Sequence, residues 1–327
     1  DNYLTFFIPQ FTQTKKVYLF LENLSLISLT MNIYILSINS RIYSTNRLYH
    51  EAVKKGHNVR IVDHTKCAVV LGENSKPQIY LGAENITKGV QAIIPRIGTS
   101  VTRHGAAIVK QFEMNGAFST VKSLGILRSR NKLRTMQILA RKRIPIPKTL
   151  FAKDTSNIET HLELLGGAPV IIKVQEGTQG LGVMIADSKK SAKSIIESLY
   201  NLNVNIIIQE FIEEANGQDI RVYIVGNRIV ASMLRSSGSE DFRSNVHRGG
   251  TMESVTLTQY EKKIAIQTAK VLGLPVCGVD IIRSNRGPLV IEANSSAGLE
   301  GIETHTRVNV AAEIIKYVEK NARKFGK

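Results

Sequence analysis

The chain of 327 residues contains no tryptophan and only two cysteines, Cys67 and Cys277. So few thiols exclude a disulfide framework and a cysteine-rich zinc site, and point to a reduced, cytoplasmic protein. Eight prolines and 24 glycines are ordinary usage, which excludes collagen-like and low-complexity classes. Long hydrophobic runs are missing as well. Residues 1 to 30 are apolar only in patches (Leu4, Phe6, Phe7, Ile8, then Val17 to Leu21), broken by Pro9, Lys15, Lys16, Glu22 and Asn23. A spanning helix needs about 18 uninterrupted apolar residues, and a secretory signal a basic start with a small-residue cleavage site. We read residues 1–30 as an extension outside the folded unit, with a weak membrane anchor as the alternative. No membrane association is expected of the rest.

Acids are scarce too. There are 27 Asp and Glu against 43 Lys and Arg, a net charge of +16. Residues 96 to 148 hold twelve basic side chains and one acid, Glu113, so a local excess of +11 makes up most of the total. Such a field favours an anionic partner: nucleic acid, a membrane surface, a nucleotide or an acidic peptide. The plain alternative is a solvated helix face. Arg96, Arg103 and Arg141 are the candidate contacts to an acidic acceptor.

With 43% hydrophobic residues the length suffices for two domains with real cores. Asn32 to Asn39 reads as a β-rich run, Thr45 to Lys55 as a helix stopped by Gly56, and Asn58 to Val62 as a second strand, which opens a βαβ unit. A strand at Ala92 to Pro95 and helices over Val101 to Asn115 and Asn131 to Lys142 continue the alternation. It implies an α/β domain with a largely parallel sheet. Beyond Pro145 and Pro147 the pattern becomes α+β and antiparallel, with strands at Pro169 to Val174, Val183 to Ala186, Asn205 to Gln209, Asp219 to Val225, Arg228 to Arg235, Val279 to Arg283 and Leu289 to Ala293. One helix, Ser191 to Leu199, interrupts them.

Two features carry chemistry. Glu176 to Val183 (EGTQGLGV) places Gly177, Gly180 and Gly182 between two strands, where backbone N–H groups can approach phosphate oxygens, although a plain hairpin turn has the same pattern. Lys173 lies in the apolar strand just before it. A lysine there needs solvent or an anion, and phosphate is the economical anion. The second feature is Val279 to Asn294 (VDIIRSNRGPLVIEAN). A turn at Asn285, Arg286 and Gly287, with unbroken register, sets Asp280 opposite Glu292 and Asn294 on the same face as Glu292. Two carboxylates and an amide oxygen form a hard, oxygen-only site suited to Mg²⁺ or Mn²⁺. The alternative is that the carboxylates face solvent or are neutralised by nearby arginines.

Lysine on a strand, a glycine loop, a strand ending in Gln209-Glu210-Phe211-Ile212 and an Asp/Glu/Asn hairpin together resemble the ATP-grasp fold, here behind an N-terminal parallel α/β (pre-ATP-grasp) domain. More closely, the chain resembles the RimK family of α-L-glutamate ligases, which add glutamates to the C-terminus of ribosomal small-subunit protein six. The stretches that carry this are SINSRIYSTNRL from Ser37, IPRIGT from Ile94, Lys132 to Arg141, KVQEGTQGLG from Lys173, DFRSNVHRGG from Asp241 and Gly278 to Glu303. The resemblance implies a pre-ATP-grasp domain over 31–127, a central lid subdomain over 128–208 and a metal-binding subdomain over 209–327.

It assigns Lys132 and Lys173 to the ATP phosphates, Gln209, Glu210, Phe211 and Ile212 to an adenine hinge, and Asp219 to the ribose. Arg243, Ser244 and Asn245 become nucleotide contacts, and Asp280, Glu292 and Asn294 the ligands of two Mg²⁺ or Mn²⁺ ions. Lys173 and Arg243 would be catalytic, neutralising charge on the transferred phosphate. NSSAG from Asn294 stands where the family usually has NASPG, so Ala297 replaces a proline. The implied partners are L-glutamate, the acidic C-terminus of a ribosomal small-subunit protein, the ribosome and further copies of the chain. Two rivals remain: another ATP-grasp ligase (of a lysine pathway using an amino-group carrier, or a coenzyme γ-glutamyl ligase), and a non-catalytic ribosome- or RNA-binding protein.

Overall fold

The computed structural model describes residues 30–73, 75–175, 182–237 and 250–325. Ile33, Ile35 and Leu36 of the strand Asn32–Leu36 are fully buried, as expected where helices cover both faces of a parallel sheet. Asn58–Val62, Asn32–Leu36, Ala92–Pro95 and Phe118–Ser119 form that sheet in this spatial order, all parallel. The helices Tyr43–Lys54 and Thr102–Met114 cross between its strands, the first followed by Gly56 at a φ of +81°. A separate three-stranded sheet, Cys67–Gly72, Ser75–Leu81 and Glu84–Asn85, was not anticipated from the sequence pattern.

Two hydrophobic cores organise the molecule. The first joins the parallel sheet to a five-stranded antiparallel sheet, ordered Thr251–Ser254, Arg228–Ser236, Gln218–Val225, Val276–Ser284 and Gly287–Asn294, with the helices Gln259–Leu272 and Val310–Phe325 against it. The second lies under an antiparallel sheet ordered Val183–Ala186, Val170–Val174, Ile206–Glu210 and Thr149–Leu150, covered by the helices Ile158–Leu164 and Lys189–Asn201. The helices Ser123–Arg130 and Lys132–Arg141 bury Ile126 and Leu139 in the first core, and the second core starts at Leu150. Among the described residues no helix is long and apolar enough to cross a membrane.

The hairpin Val279 to Asn294 departs from the expected turn. The turn is Asn285 and Arg286 alone, because Ser284 pairs with Gly287 and Ile281 with Val290. In that register Asp280 would face Ile291. A β-bulge between Asp280 and Ile281 absorbs the extra residue and restores the Asp280–Glu292 pair. The expected pairing is therefore present, but by a shorter turn followed by a bulge instead of an unbroken ladder.

Candidate active site

The site lies where one face of the five-stranded sheet meets the second core's sheet. Asp219 and Arg221 are two apart on Gln218–Val225 and share that face. Asp219 pairs directly with Arg235 on one neighbouring strand, and Arg221 with Asp280 on the other, so one row across three strands reads Arg221, Asp280, Glu292. Arg221 grips Asp280 in a fork, Nε to Oδ1 at 2.8 Å and Nη2 to Oδ2 at 2.6 Å. Arg235 holds Asp219 through Nε at 2.6 Å and Nη2 at 2.5 Å, and its Nη2 also reaches Asp280 Oδ2 at 3.0 Å. Burial alone would raise the Asp280 carboxyl. The two guanidinium groups outweigh it and hold the carboxyl down at about 2.

Glu292 differs. It is half-buried, and among the described residues it has no ion pair or hydrogen bond. Arg130, Lys132 and Lys173 are close enough to act on it electrostatically; burial lowers the pKa of all three, and Glu292 pulls each back up. Asn294 is also half-buried, and its side-chain amide makes no hydrogen bond among the described residues. The two alternatives for the hairpin therefore divide by residue: arginines neutralise Asp280, while Glu292 and Asn294 keep their oxygens available. No cluster of three or more His, Cys, Asp or Glu that could hold a metal occurs among the described residues. The donor set is two carboxylates and one amide oxygen. It fits a hard cation that completes its shell with water and phosphate.

Gly278 explains how the following loop is seated. A Cβ there would lie 2.8 Å from the Ala297 Cβ and 3.4 Å from the Arg221 Cδ, so only glycine lets Asn294 to Gly298 fold against the sheet. Arg96 braces the same loop from the parallel sheet, its Nη2 donating to the Ala297 carbonyl at 2.8 Å and the Ser296 carbonyl at 3.2 Å. Arg130 donates to the Ile97 carbonyl at 2.7 Å and Thr99 Oγ1 at 3.1 Å, joining the site's edge to the start of the next helix.

On the facing sheet, Val170, Ile172 and Val174 turn into the second core while Ile171 and Lys173 turn towards the site. Ile171, Ile207 and Gln209 share this face, buried yet part of neither core. Desolvation by burial pushes the Lys173 ammonium down to about 8, a lysine poised to gain from an anion. Asn131 caps the next helix by accepting from the Arg134 amide at 2.8 Å, placing Lys132 in its first turn, with Nζ 3.4 Å from the Gln175 carbonyl. At the glycine loop's exit, Gly182 has a φ of +79°, and a Cβ would come within 2.9 Å of Val174. Gly177, Gly180, Arg243, Ser244 and Asn245 lie outside the described residues.

At the expected hinge the Glu210 amide donates to the Lys148 carbonyl at 3.1 Å, but the Lys148 amide donates to the Glu210 carboxylate at 2.5 Å. In an antiparallel pair that amide would ordinarily take the Glu210 carbonyl. The side chain, also paired with Arg286, thus relieves the carbonyl of its usual partner. Gln209 is buried, its Nε2 donating to Thr149 Oγ1 at 2.9 Å, and Phe211 is half-buried beside Ile212, whose carbonyl accepts the Ala215 amide. Sequence reasoning missed Arg221, Arg235 and Arg130. Strand alternation from Asp219 would have placed Arg221 on the site face.

Two antiparallel sheets meeting over this cluster of charges, behind a parallel α/β domain, are the architecture of an ATP-grasp ligase. A model of the RimK pre-ATP-grasp domain matches residues 31–126, and one of the RimK-like ATP-grasp domain matches residues 129–318. Curated relatives include a probable alpha-L-glutamate ligase of Vibrio atlanticus, 49% identical over 90% of this chain and 97% of that protein, and the probable alpha-L-glutamate ligase 2 of Pseudoalteromonas atlantica, 50% identical over the same shares. The ATP-grasp ligase PsnB, solved with minimal precursor, Mg and ADP, superposes with a TM-score of 0.69 at 17% identity, over 89% of this chain and 98% of that one. The chain belongs to the RimK-like ATP-grasp family, and it is an ATP-dependent carboxylate–amine ligase.

Proposed function

We propose that this ligase adds L-glutamate through α-peptide bonds to the C-terminus of a ribosomal small-subunit protein, by way of an acyl phosphate, and that the same chemistry can extend free poly-α-glutamate. The observation that carries the reading is the half-buried Glu292, close enough to act electrostatically on Arg130 and Lys132 beside it and on Lys173 of the facing sheet. The names of the curated relatives support glutamate as the amine, and the solved PsnB complex supports Mg²⁺ with an adenine nucleotide.

In this reading adenine lies on Ile171 and Ile207, with the Glu210 carbonyl and Ile212 amide at its edge and Asp219 at the ribose. Lys132 and Lys173, with Arg243, Ser244 and Asn245, take the phosphates. Asp280, Glu292 and Asn294 would hold two Mg²⁺ or Mn²⁺ ions, which screen phosphate charge as the γ-phosphoryl group transfers. The acceptor carboxylate attacks the γ-phosphorus in line and ADP leaves. The glutamate amine then attacks the acyl carbon, loses a proton and expels phosphate. Lys173 and Arg243 neutralise charge on the transferring group, and no protein nucleophile is required. Cys67 and Cys277 fit this, since burial pushes both thiols up and leaves them inert.

The basic stretch suits the acidic acceptor. Lys122, Arg134, Arg141, Lys142 and Arg143 are exposed and make no ion pair among the described residues. A growing glutamate tail gains charge with each step, so such a surface holds it increasingly well. The test is ADP release from the purified protein with ATP, Mg²⁺ and an acidic-tailed acceptor. Release that requires glutamate supports the reading, and release that requires a different amine, or none, sinks it. RNA that competes with the acceptor would assign the basic face to nucleic acid.

A further inference from the structure

Arg221 and Arg235 have no task in the reaction just proposed, yet they are among the most firmly seated charges of the site. A carboxylate offers about four lone-pair directions. Asp280 gives three of them to guanidinium N–H groups, at 2.8, 2.6 and 3.0 Å. Neither arginine is a loose surface group. Their side chains are 15% and 14% exposed, Arg221 runs alongside Gly278, and Arg235 is tied through Nε and the same Nη2 to both oxygens of Asp219.

The one remaining direction, on Oδ1, lies beside the Arg221 guanidinium, and a cation that takes both oxygens of Asp280 must displace part of this fork. Free Mg²⁺ or Mn²⁺ brings no anion to receive the displaced guanidinium, and a buried guanidinium without a partner is costly. A divalent ion arriving on a nucleotide brings phosphate oxygens, which accept guanidinium forks well. We infer that Arg221 and Arg235 are positioning residues that close Asp280 to free divalent cations, so that metal enters this site together with nucleotide phosphates. The inference rests on the reading of Asp280, Glu292 and Asn294 as metal ligands.

The experiment is a titration of the full chain with Mn²⁺, reading unbound Mn²⁺ by its electron paramagnetic resonance signal, with and without ADP. Glu292→Gln tests the underlying reading separately: Mn²⁺ binding with ADP should be lost, and its persistence would overturn the metal site itself. For the gate, Arg221→Gln and Arg235→Gln should bind Mn²⁺ without nucleotide at least tenfold more tightly than the unmodified protein. Arg130→Gln removes an equal charge near Glu292 without freeing Asp280, and should gain less than threefold. Equal gains in all three variants would reduce the effect to general charge and overturn the gate, as would no gain in variants that melt cooperatively. Arg235→Lys keeps the charge but gives up the fork and guards against loss of fold. It should tighten nucleotide-free binding about threefold, and an unchanged affinity counts against the gate.

Discussion

Lys173→Met separates what the fold wants from what the reaction wants. Folding takes the ammonium from its ordinary value of 10.5 down to about 8, mainly by desolvation. That corresponds to about 3 kcal/mol against the charged form. Lys173 keeps part of its surface exposed, so solvent screening discounts the figure to about 1 to 3 kcal/mol. Met fills similar space without charge, and at pH 7 it should raise the melting temperature by about 2 to 10 °C. The sign with pH follows from linkage. Between about 8 and 10.5 the unfolded chain keeps this proton and the folded protein does not, so the unmodified protein gains stability as pH rises and the advantage of the variant should be mostly lost by about pH 10 and close above 10.5. Losing one charged contact to phosphate is worth about 1.5 to 3 kcal/mol, so affinity for a non-hydrolysable ATP analogue should fall about tenfold to a hundredfold. Thermal melts at pH 7 and 10 and calorimetric titration with the analogue measure both effects. A variant that melts lower at pH 7 while binding the analogue normally would refute the reasoning.

Three further outcomes follow from the geometry. Glu292→Gln should melt within a few degrees of the unmodified protein, because relief from the Asp280 charge offsets part of what Arg130, Lys132 and Lys173 lose, yet it should lose at least a hundredfold in kcat; near-normal turnover at ordinary Mg²⁺ would contradict the ligand assignment. Gly278→Ala sets a Cβ 2.8 Å from that of Ala297, should cost about 1 to 3 kcal/mol by overpacking, and should be rescued by adding Ala297→Gly, which a defect unrelated to this contact would not be. Replacing exposed Arg134, Arg141 and Arg143 together with Gln should raise the KM of an acidic acceptor about three- to thirtyfold at low salt and leave the KM for ATP unchanged, with added salt closing the gap. An acceptor KM that stays the same while RNA affinity drops would reassign this surface.

Charge against hydrophobic pattern decided what the sequence made legible. Lys173 stood out because an apolar strand surrounded it, and Asp280 and Glu292 because two apolar strands did. The bulge at their pairing left no such mark: Ile291 is as apolar as Leu289 and Val290 before it, so the pattern alone could not tell a three-residue turn from a two-residue turn with a bulge. Arg221 and Arg235 were hidden for the opposite reason, since a charge alternating along a strand looks like its solvent face until the strand's neighbours are known. Arg96, chosen from sequence as an acceptor contact, instead braces the Ser296–Ala297 carbonyls, a role set by a partner two hundred residues away. The helix Gln259–Leu272 went unread among the strands although a Thr258–Glu261 capping box starts it and Gly273 ends it.

The measurement that bears most directly on the proposed activity is intact-mass spectrometry of purified ribosomal small-subunit proteins incubated with the full chain, ATP, Mg²⁺ and L-glutamate. The predicted result is a ladder of successive glutamyl additions on one acidic-tailed protein, mapped to its C-terminus and absent without ATP. ATP consumed with no glutamyl addition to any of these proteins, or addition of a different amine, would contradict it.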